Sequence, residues 1–210
     1  SRRSSVAAAS PPNPAPMIRG GIYHAVLQTT FEQLRGRLTE AQLPNARSIA
    51  LGALREACAA ERLAGRDQEH AALVRELETD VLRYLAFAAS SGTVFRPAHF
   101  ELSFGTSRDD VAPVTLGGEL RLSGRIDRVD LSPDGRAAIV IDYKGKSGVA
   151  ARRKWMDGRT LQVGLYALAL RELLPDVRVA GALYQPINGN DLRPRGYLQK
   201  GDDEDRGDIV

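Results

Sequence analysis

The spacing of hydrophobic residues divides the chain into a helical first half and a second half made mostly of strands. Hydrophobic residues recur every three or four positions over residues 22–41, 46–63 and 68–89, which predicts three amphipathic helices. Helix-breaking residues mark the predicted ends of these helices: Pro44 should stop the first, Gly65 the second and Gly92 the third.

From residue 95 onward the pattern changes to the two-residue alternation that is typical of strands. The predicted elements are a strand over 95–104, strands over 120–131 and 137–144, a helix over 160–174, a strand over 177–185 and an edge strand near 196–198. The turn sequence Pro133-Asp134-Gly135 joins the second and third strands into a hairpin. Because the fourth strand returns through a helix, we expect an α/β (α+β) layer with a small mixed sheet.

Composition predicts one domain with a tail at each end. The chain has 210 residues, of which 43% are hydrophobic, enough for one good core. Residues 1–17 are rich in Ser, Ala and Pro and predict a flexible linker, and the acidic residues 201–210 predict a disordered tail. The domain between them, residues 18–200, should consist of a helical part over about 22–91 and a core over about 94–186. The start at Ser1 is expected for a fragment of a larger protein.

Charge and cysteine content limit which partners and which metal sites this chain can have. The net charge is +3, and residues 202–210 carry −4, so the rest of the chain carries +7. This modestly basic body fits a polyanionic partner, although ordinary surface charge explains it equally well. The single cysteine, Cys58, excludes a disulfide and a multi-cysteine zinc or iron–sulfur site within this chain. Without a signal peptide or a long apolar run, we expect a cytoplasmic protein with no membrane partner.

The predicted hairpin brings two carboxylates and one lysine to one face. Side chains alternate along a strand, so Asp142 and Lys144 point the same way, Tyr143 points the other way, and Asp127 of the partner strand can lie beside them. Two carboxylates suit a hard divalent cation, and a neighbouring lysine can act on a water or a phosphate. This is chemistry for cutting a phosphodiester. The alternatives are an ion pair of Asp127 with a neighbouring arginine and a surface pair of Asp142 with Lys144.

Other polar residues are candidates for the same site. Glu101 should face away from Phe100, Leu102 and Phe104, which are expected in the core, and could reach the polar face of the hairpin, unless it is simply exposed. A neutral imidazole can ligate a metal, so His24 on the first helix is a further candidate, although a lone helix histidine is more often structural.

Two more groups of side chains could contact a phosphate. Gln162 and Tyr166 lie four residues apart on the predicted fourth helix and therefore on one face, which is otherwise ordinary helix surface. The loop after the hairpin is basic and could contact backbone phosphates or remain solvated. Its cationic residues are Lys144, Lys146, Arg152, Arg153 and Lys154.

Several motifs in order resemble the RecB-type branch of the PD-(D/E)XK nuclease superfamily. They are Gly20-Gly21-Ile22-Tyr23-His24, Glu101-Leu102-Ser103-Phe104, Gly124-Arg125-Ile126-Asp127-Arg128-Val129-Asp130, Asp142-Tyr143-Lys144 and Gln162-Val163-Gly164-Leu165-Tyr166. Their order and spacing agree with the family from about residue 19 to residue 185. The resemblance implies a restriction-endonuclease-like fold and a metal-dependent deoxyribonuclease.

The resemblance also implies roles for individual residues. His24, Asp127, Asp142 and the carbonyl of Tyr143 would bind Mg²⁺ or Mn²⁺, and Lys144 would position or activate the water. Glu101 would support the metal site from behind the ligands or occasionally bind the metal itself. Gln162 and Tyr166 would hold the DNA, which Arg125 and the basic loop would also contact.

Domains of this kind usually belong to repair and recombination helicase–nucleases, in the AddB, AddA or RecB manner. The implied function is therefore cleavage of single-stranded or unwound DNA, by an exonuclease associated with the nucleoid and with a helicase. The chain departs from the family where Gly145 follows Lys144 in place of the common threonine, and it lacks the four cysteines that some members use for an iron–sulfur cluster. The alternative is a catalytically inactive DNA- or protein-binding module on the same fold.

Overall fold

A computed structural model of the chain describes residues 16–61, 68–105, 112–145 and 161–199. The predictions for residues 1–15, for the acidic tail 201–210 and for four cations of the basic loop lie outside the described residues. Those cations are Lys146, Arg152, Arg153 and Lys154. None of the helices in the described ranges has the length and apolar character needed to cross a membrane.

Three helices form the first half, as predicted, but their ends differ from the prediction. They are α1 (Pro16–Leu34), α2 (Leu43–Ala60) and α3 (Gln68–Ser90), with a short 3-10 turn over Glu40–Gln42. The first helix ends early, just before Arg35, which has a φ of +50° and cannot continue a right-handed helix. The prediction that Pro44 stops α1 is wrong. Pro44 lies in the first turn of α2, where backbone N–H groups have no partner within the helix, so a proline costs no hydrogen bond there.

The second half builds the mixed sheet that the pattern predicts. Its elements are β1 (Arg96–Phe104), β2 (Val114–Leu116), β3 (Leu120–Leu122), β4 (Gly124–Leu131), β5 (Ala137–Lys144), α4 (Gln162–Leu173), β6 (Arg178–Pro186) and β7 (Arg195–Leu198). The main sheet has the order β1-β4-β5-β6-β7, in which β5 and β6 run parallel and the other neighbours antiparallel. The single strand predicted over 120–131 is divided, because β3 pairs with β2 in a separate hairpin.

A hydrophobic core covers each face of the main sheet. Strand β5 shows the division: Ile139, Ile141 and Tyr143 pack with helices α1, α2 and α3 on one face. Ala138 and Val140 pack with α4 on the other face. A strand with apolar residues at successive positions is expected when helices cover both faces of a sheet. The layered α/β architecture predicted from the element order is thereby confirmed.

At one level of the sheet, the side chains of both β1 and β4 switch from one face to the other. Phe100 and Arg128 are ladder partners, and both contact the core beneath the first three helices. Leu102 and Ile126 form the next pair along the ladder, and both pack in the core beneath α4. In a regular strand, residues two apart share one face. The expectation that Phe100 and Leu102 lie on the same side is therefore wrong.

The exchange of faces has a backbone cause at Glu101. This residue has a φ of +47°, a left-handed conformation that is costly for a residue with a side chain. Because the side-chain direction of β1 reverses at Glu101, Phe100 lies in one core and Phe104 in the other. Glu101 and its neighbour on β4, Asp127, lie at the switch between the two cores, and their carboxylates meet at a common point.

Candidate active site

Three side chains from three elements form a carboxylate–histidine cluster at this switch. His24 of α1, Glu101 of β1 and Asp127 of β4 each offer one ligand atom, and these atoms lie within 4.8 Å of one another. The imidazole Nδ1 of His24 is 3.4 Å from Glu101 Oε1 and 3.5 Å from Asp127 Oδ1. The structure thus groups Glu101 with His24 and Asp127, whereas the resemblance implied a supporting or occasional metal-binding role for it.

A backbone hydrogen bond fixes the carboxylate of Asp127. The paired positions of β4 and β5 end at Arg128 and Ile141, so Asp127, which precedes Arg128, has no ladder partner on β5. Beyond that point the N–H of Tyr143 donates to Asp127 Oδ2 at 2.7 Å, so the carboxylate takes the place of a strand partner. This bond leaves Oδ1 directed at His24. The alternative ion pair of Asp127 with a neighbouring arginine does not form, because Arg125 pairs with Glu101 and Arg128 with Asp130.

Asp142 and Lys144 form an ion pair beside the cluster. Lys144 Nζ is 2.6 Å from Asp142 Oδ2, and the Asp142 side chain is only 1% exposed. Among the described residues, however, no donor meets hydrogen-bond geometry at this oxygen. Asp142 lies outside the group of three close ligand atoms, so its predicted place with His24 and Asp127 remains a prediction.

The donor set fits a hard divalent cation. Carboxylate oxygens are the ligands that Mg²⁺ prefers, and Mn²⁺ also accepts an imidazole nitrogen. Asp142 adds a buried carboxylate beside this donor set, with its Oδ2 paired to the Lys144 ammonium at 2.6 Å. The residues present therefore fit the metal that the sequence predicts. The role of the Tyr143 carbonyl as a further ligand stays a prediction.

A chain of hydrogen bonds connects Lys144 to α4. Lys144 Nζ donates to Gln162 Oε1 at 3.1 Å, and Gln162 Nε2 donates to the Tyr166 hydroxyl at 3.0 Å. Gly124 allows Tyr166 this position, because a Cβ on Gly124 would be 3.2 Å from the Tyr166 ring. The structure thus brings together Lys144, Gln162 and Tyr166, which the sequence assigned to one site. Their roles in binding DNA remain predictions.

Arg125 lies at the outer edge of the cluster. Its Nε is 2.7 Å from Glu101 Oε2, and its side chain is 61% exposed. One side of the guanidinium thus contacts the cluster while the rest faces solvent. Such an arginine can bind a phosphate that approaches the carboxylates.

A buried polar network that was not predicted from the sequence lies beneath the site. Arg128 pairs with Asp130 through Nε and Nη2 at 2.7 and 2.8 Å. Its Nη1 donates to the hydroxyls of Tyr84 at 3.2 Å and Tyr143 at 2.7 Å. The detectable signal was the Arg-Val-Asp sequence, in which two opposite charges two residues apart on a strand must share a face. The network secures the ring of Tyr143, whose backbone N–H holds Asp127.

Burial and crowding of charge shift the pKa values of the cluster. Burial raises the pKa of Asp127 to about 6, with His24 opposing the shift and Asp142 adding to it. Burial works against protonation of His24, but its hydrogen bond to Glu101 and the charge of Asp127 prevail, and the pKa of His24 is raised. Burial also raises the pKa of Asp142, although Lys144 opposes this. The metal-free cluster therefore favours bound protons, and a cation would have to displace them.

The pH dependence of stability should reveal this competition. Because the pKa of Asp127 is 3.8 when unfolded and about 6 when folded, the folded state binds the extra proton between these values. The metal-free chain should therefore lose stability as the pH rises from about 4 to 6, with His24 continuing the loss above 6.5. Added Mn²⁺ should stabilise the chain more at pH 7.5 than at pH 5.5, with an apparent affinity roughly ten-fold higher.

Thermal unfolding at several pH values, with Mn²⁺ or chelator, measures this prediction. Asp127→Asn is the control, because its amide does not titrate and is a poor metal ligand. In this variant both the loss of stability between pH 4 and 6 and the stabilisation by Mn²⁺ should shrink. Equal stabilisation by Mn²⁺ at both pH values in the unchanged chain would contradict the assignment of the cluster as a metal site.

The chain matches a nuclease family and several curated proteins. A family model of the PD-(D/E)XK nuclease superfamily matches residues 3–208. The chain is 40% identical over 127 residues to an ATP-dependent helicase/deoxyribonuclease subunit of Symbiobacterium thermophilum, a match that covers 55% of the chain and 11% of that protein. It is 39% identical over 100 residues to the corresponding helicase/deoxyribonuclease subunit of Desulforudis audaxviator, covering 43% of the chain and 9% of that protein.

A third relative is named as an exonuclease/helicase subunit. This is RexB of Lactococcus lactis subsp. cremoris, which is 34% identical over 98 residues, 44% of the chain and 9% of that protein. The matched region thus spans about a tenth of the length of these curated relatives.

Proposed function

Because the chain belongs to the PD-(D/E)XK nuclease superfamily, we propose that it hydrolyses phosphodiester bonds of DNA with a bound divalent metal ion. The observation that carries this proposal is the convergence of His24, Glu101 and Asp127 beside the buried pair of Asp142 and Lys144. Carboxylates of this kind hold a cation, and a neighbouring ammonium is needed where negative charge develops on a phosphate.

One group of residues in this proposal binds the metal ion. His24, Glu101, Asp127, Asp142 and the carbonyl of Tyr143 hold Mg²⁺ or Mn²⁺. The ion, when bound, polarises the phosphate and lowers the pKa of a bound water. The Tyr143 N–H orients Asp127 through its 2.7 Å hydrogen bond.

Lys144 lies where it can contact both a water and a phosphate. Its Nζ is 2.6 Å from Asp142 and 3.1 Å from Gln162, and its side chain remains 27% exposed. The ammonium can hold the attacking water and offset the negative charge that builds up on the phosphate oxygens. Gln162 and Tyr166 supply an amide and a hydroxyl next to it, which suit a phosphate or sugar oxygen of the DNA.

The names of the relatives support a finer assignment. They join a helicase to a deoxyribonuclease or an exonuclease. We therefore propose that residues 18–200 are one nuclease domain that works with a helicase, in the same polypeptide or complex, on unwound DNA during repair and recombination. Single-stranded DNA is the proposed preferred substrate, and Lys146, Arg152, Arg153 and Lys154 are proposed contacts to its backbone.

Digestion of end-labelled DNA by the 210-residue chain tests this function. Single-stranded DNA should be cut in Mg²⁺ or Mn²⁺ and left intact with chelator, and it should be cut faster than duplex DNA or RNA. Asp127→Asn should lower the rate by about 10²–10³-fold, because its neutral amide is a poor metal ligand, although the amide oxygen can still accept the Tyr143 N–H. Substrates labelled at either end show the polarity. DNA that is bound but uncut under every metal would contradict the proposal and favour a binding module.

A further inference from the structure

A row of exposed polar side chains leads along β3 and β4 to the carboxylate–histidine cluster. Arg121, Ser123 and Arg125 are all exposed and stand at alternate positions, and the next position in step is Asp127. Because alternate residues of an extended chain share a face, the row runs in one direction from the β2–β3 hairpin to the cluster.

Packing of the intervening residues supports this arrangement. Leu122 and Ile126 face the core beneath α4, and a Cβ on Gly124 would point at the Tyr166 ring on the same side. The side chains between them must therefore point to the opposite face.

Polar residues on the neighbouring strands extend this outer face. The ladder partner of Arg121 is Thr115 on β2, and the partner of Arg125 is Ser103 on β1. The outer face thus presents hydroxyls beside the two guanidiniums. These are groups that bind phosphate oxygens without reading the bases.

The two arginines differ in what holds them. Arg125 Nε contacts Glu101 Oε2 at 2.7 Å, and Glu101 Oε1 is 3.4 Å from His24 Nδ1. Within the described ranges, no acidic residue forms an ion pair with Arg121. The guanidinium of Arg121 is thus exposed at the far end of the row, and that of Arg125 lies against the cluster.

We propose that Arg121, Ser123 and Arg125 form a phosphate track that guides one strand of DNA into the carboxylate–histidine cluster. Two residues of a strand advance by about 6.6–6.8 Å, a length on the scale of one nucleotide of an extended single strand. A single row of donors matches one backbone, so the track takes single-stranded DNA. This inference rests on the proposed nuclease function and adds the path by which the substrate reaches the site.

Binding of a fluorescent oligothymidylate, measured with chelator present so that no cleavage occurs, tests the track. Arg121→Gln should weaken binding of a 12-mer about five-fold, and the slope of log affinity against log salt should fall by about 0.7, one phosphate contact on a single strand. A trimer, which is too short to reach from the cluster to Arg121, should show a much smaller change. The matched control is Arg136→Gln, an exposed arginine in the turn at the other end of β4.

The outcomes separate this inference from the proposed function. If Arg121→Gln and Arg136→Gln have the same affinity and salt slope, the track is wrong, whether or not the unchanged chain cuts DNA in Mn²⁺. If the unchanged chain does not cut DNA but Arg121→Gln still lowers the salt slope, the track is supported as a binding surface and the nuclease proposal fails.

Discussion

Lys144→Met should lower the rate of DNA cleavage by about 10³-fold while the stabilisation by Mn²⁺ is retained. Methionine keeps an unbranched apolar stem, one atom shorter than lysine, and removes the charge that lies 2.6 Å from Asp142 and 3.1 Å from Gln162. The lost interaction acts mainly where the phosphate becomes more negative, so kcat should fall and KM should change little. This is the largest effect that we expect from a single residue outside the metal ligands.

The measurement pairs single-turnover cleavage with thermal unfolding in Mn²⁺. Both are made at pH 8, because Lys144 counteracts the burial that raises the pKa of Asp142, and its removal would favour the protonated acid. Asp142→Asn is the matched comparison, and it should lose cleavage and part of the stabilisation by Mn²⁺ together. Cleavage by Lys144→Met at a rate within a few-fold of the unchanged chain would refute the role of the ammonium.

Arg128→Met should reduce the free energy of unfolding by about 3–5 kcal/mol. The substitution leaves the buried Asp130 carboxylate without its partner, and the hydroxyls of Tyr84 and Tyr143 lose their donor. The double variant Arg128→Met with Asp130→Leu should recover most of the loss, because an apolar pair of similar volume removes the uncompensated charge. Urea unfolding of the two variants measures the difference.

An exposed pair of the same type supplies the control. Arg193 and Asp191 also lie two residues apart and make two contacts at 3.0 Å, but on the surface. Arg193→Met should leave the urea midpoint essentially unchanged, because solvent and salt screen an exposed pair. Equal effects at the two pairs would show that burial does not decide the contribution of Arg128.

The double variant also tests whether the network aligns the site. Tyr143 joins Arg128 through its hydroxyl and Asp127 through its backbone N–H. If the network orients Asp127, the double variant should fold and yet bind Mn²⁺ about 10–100-fold more weakly, the loss that is usual for groups behind metal ligands. Unchanged Mn²⁺ affinity in a folded double variant would assign the network to stability alone.

Much of the fold was predictable because its signals are local. The three- to four-residue spacing of α3 and the continuous apolar run of β5 are properties of neighbouring residues, and the hairpin of β4 and β5 follows from its turn sequence. The motifs around Asp127, Asp142 and Lys144 identified the superfamily, a prediction that the family match confirms. Their placement on one hairpin also followed from periodicity.

The errors arose where distant parts of the chain meet. Pro44 has the same local sequence whether it ends one helix or begins the next, and the packing of α2 decides between them. The division of 120–131 into β3 and β4 depends on the pairing of β3 with β2. No residue in the stretch specifies which partner it takes, so periodicity alone predicts one strand.

By itself, the sequence determined most of the elements, the mixed sheet, the superfamily and the set of side chains from which the site is drawn. Only the tertiary structure decided how those side chains combine. The left-handed backbone of Glu101 turns β1 over and carries its carboxylate to His24 and Asp127, while Asp142 remains with Lys144. Such a conformation is unfavourable for an isolated glutamate and persists only when two cores and a paired strand hold it in place, so no local pattern could predict it.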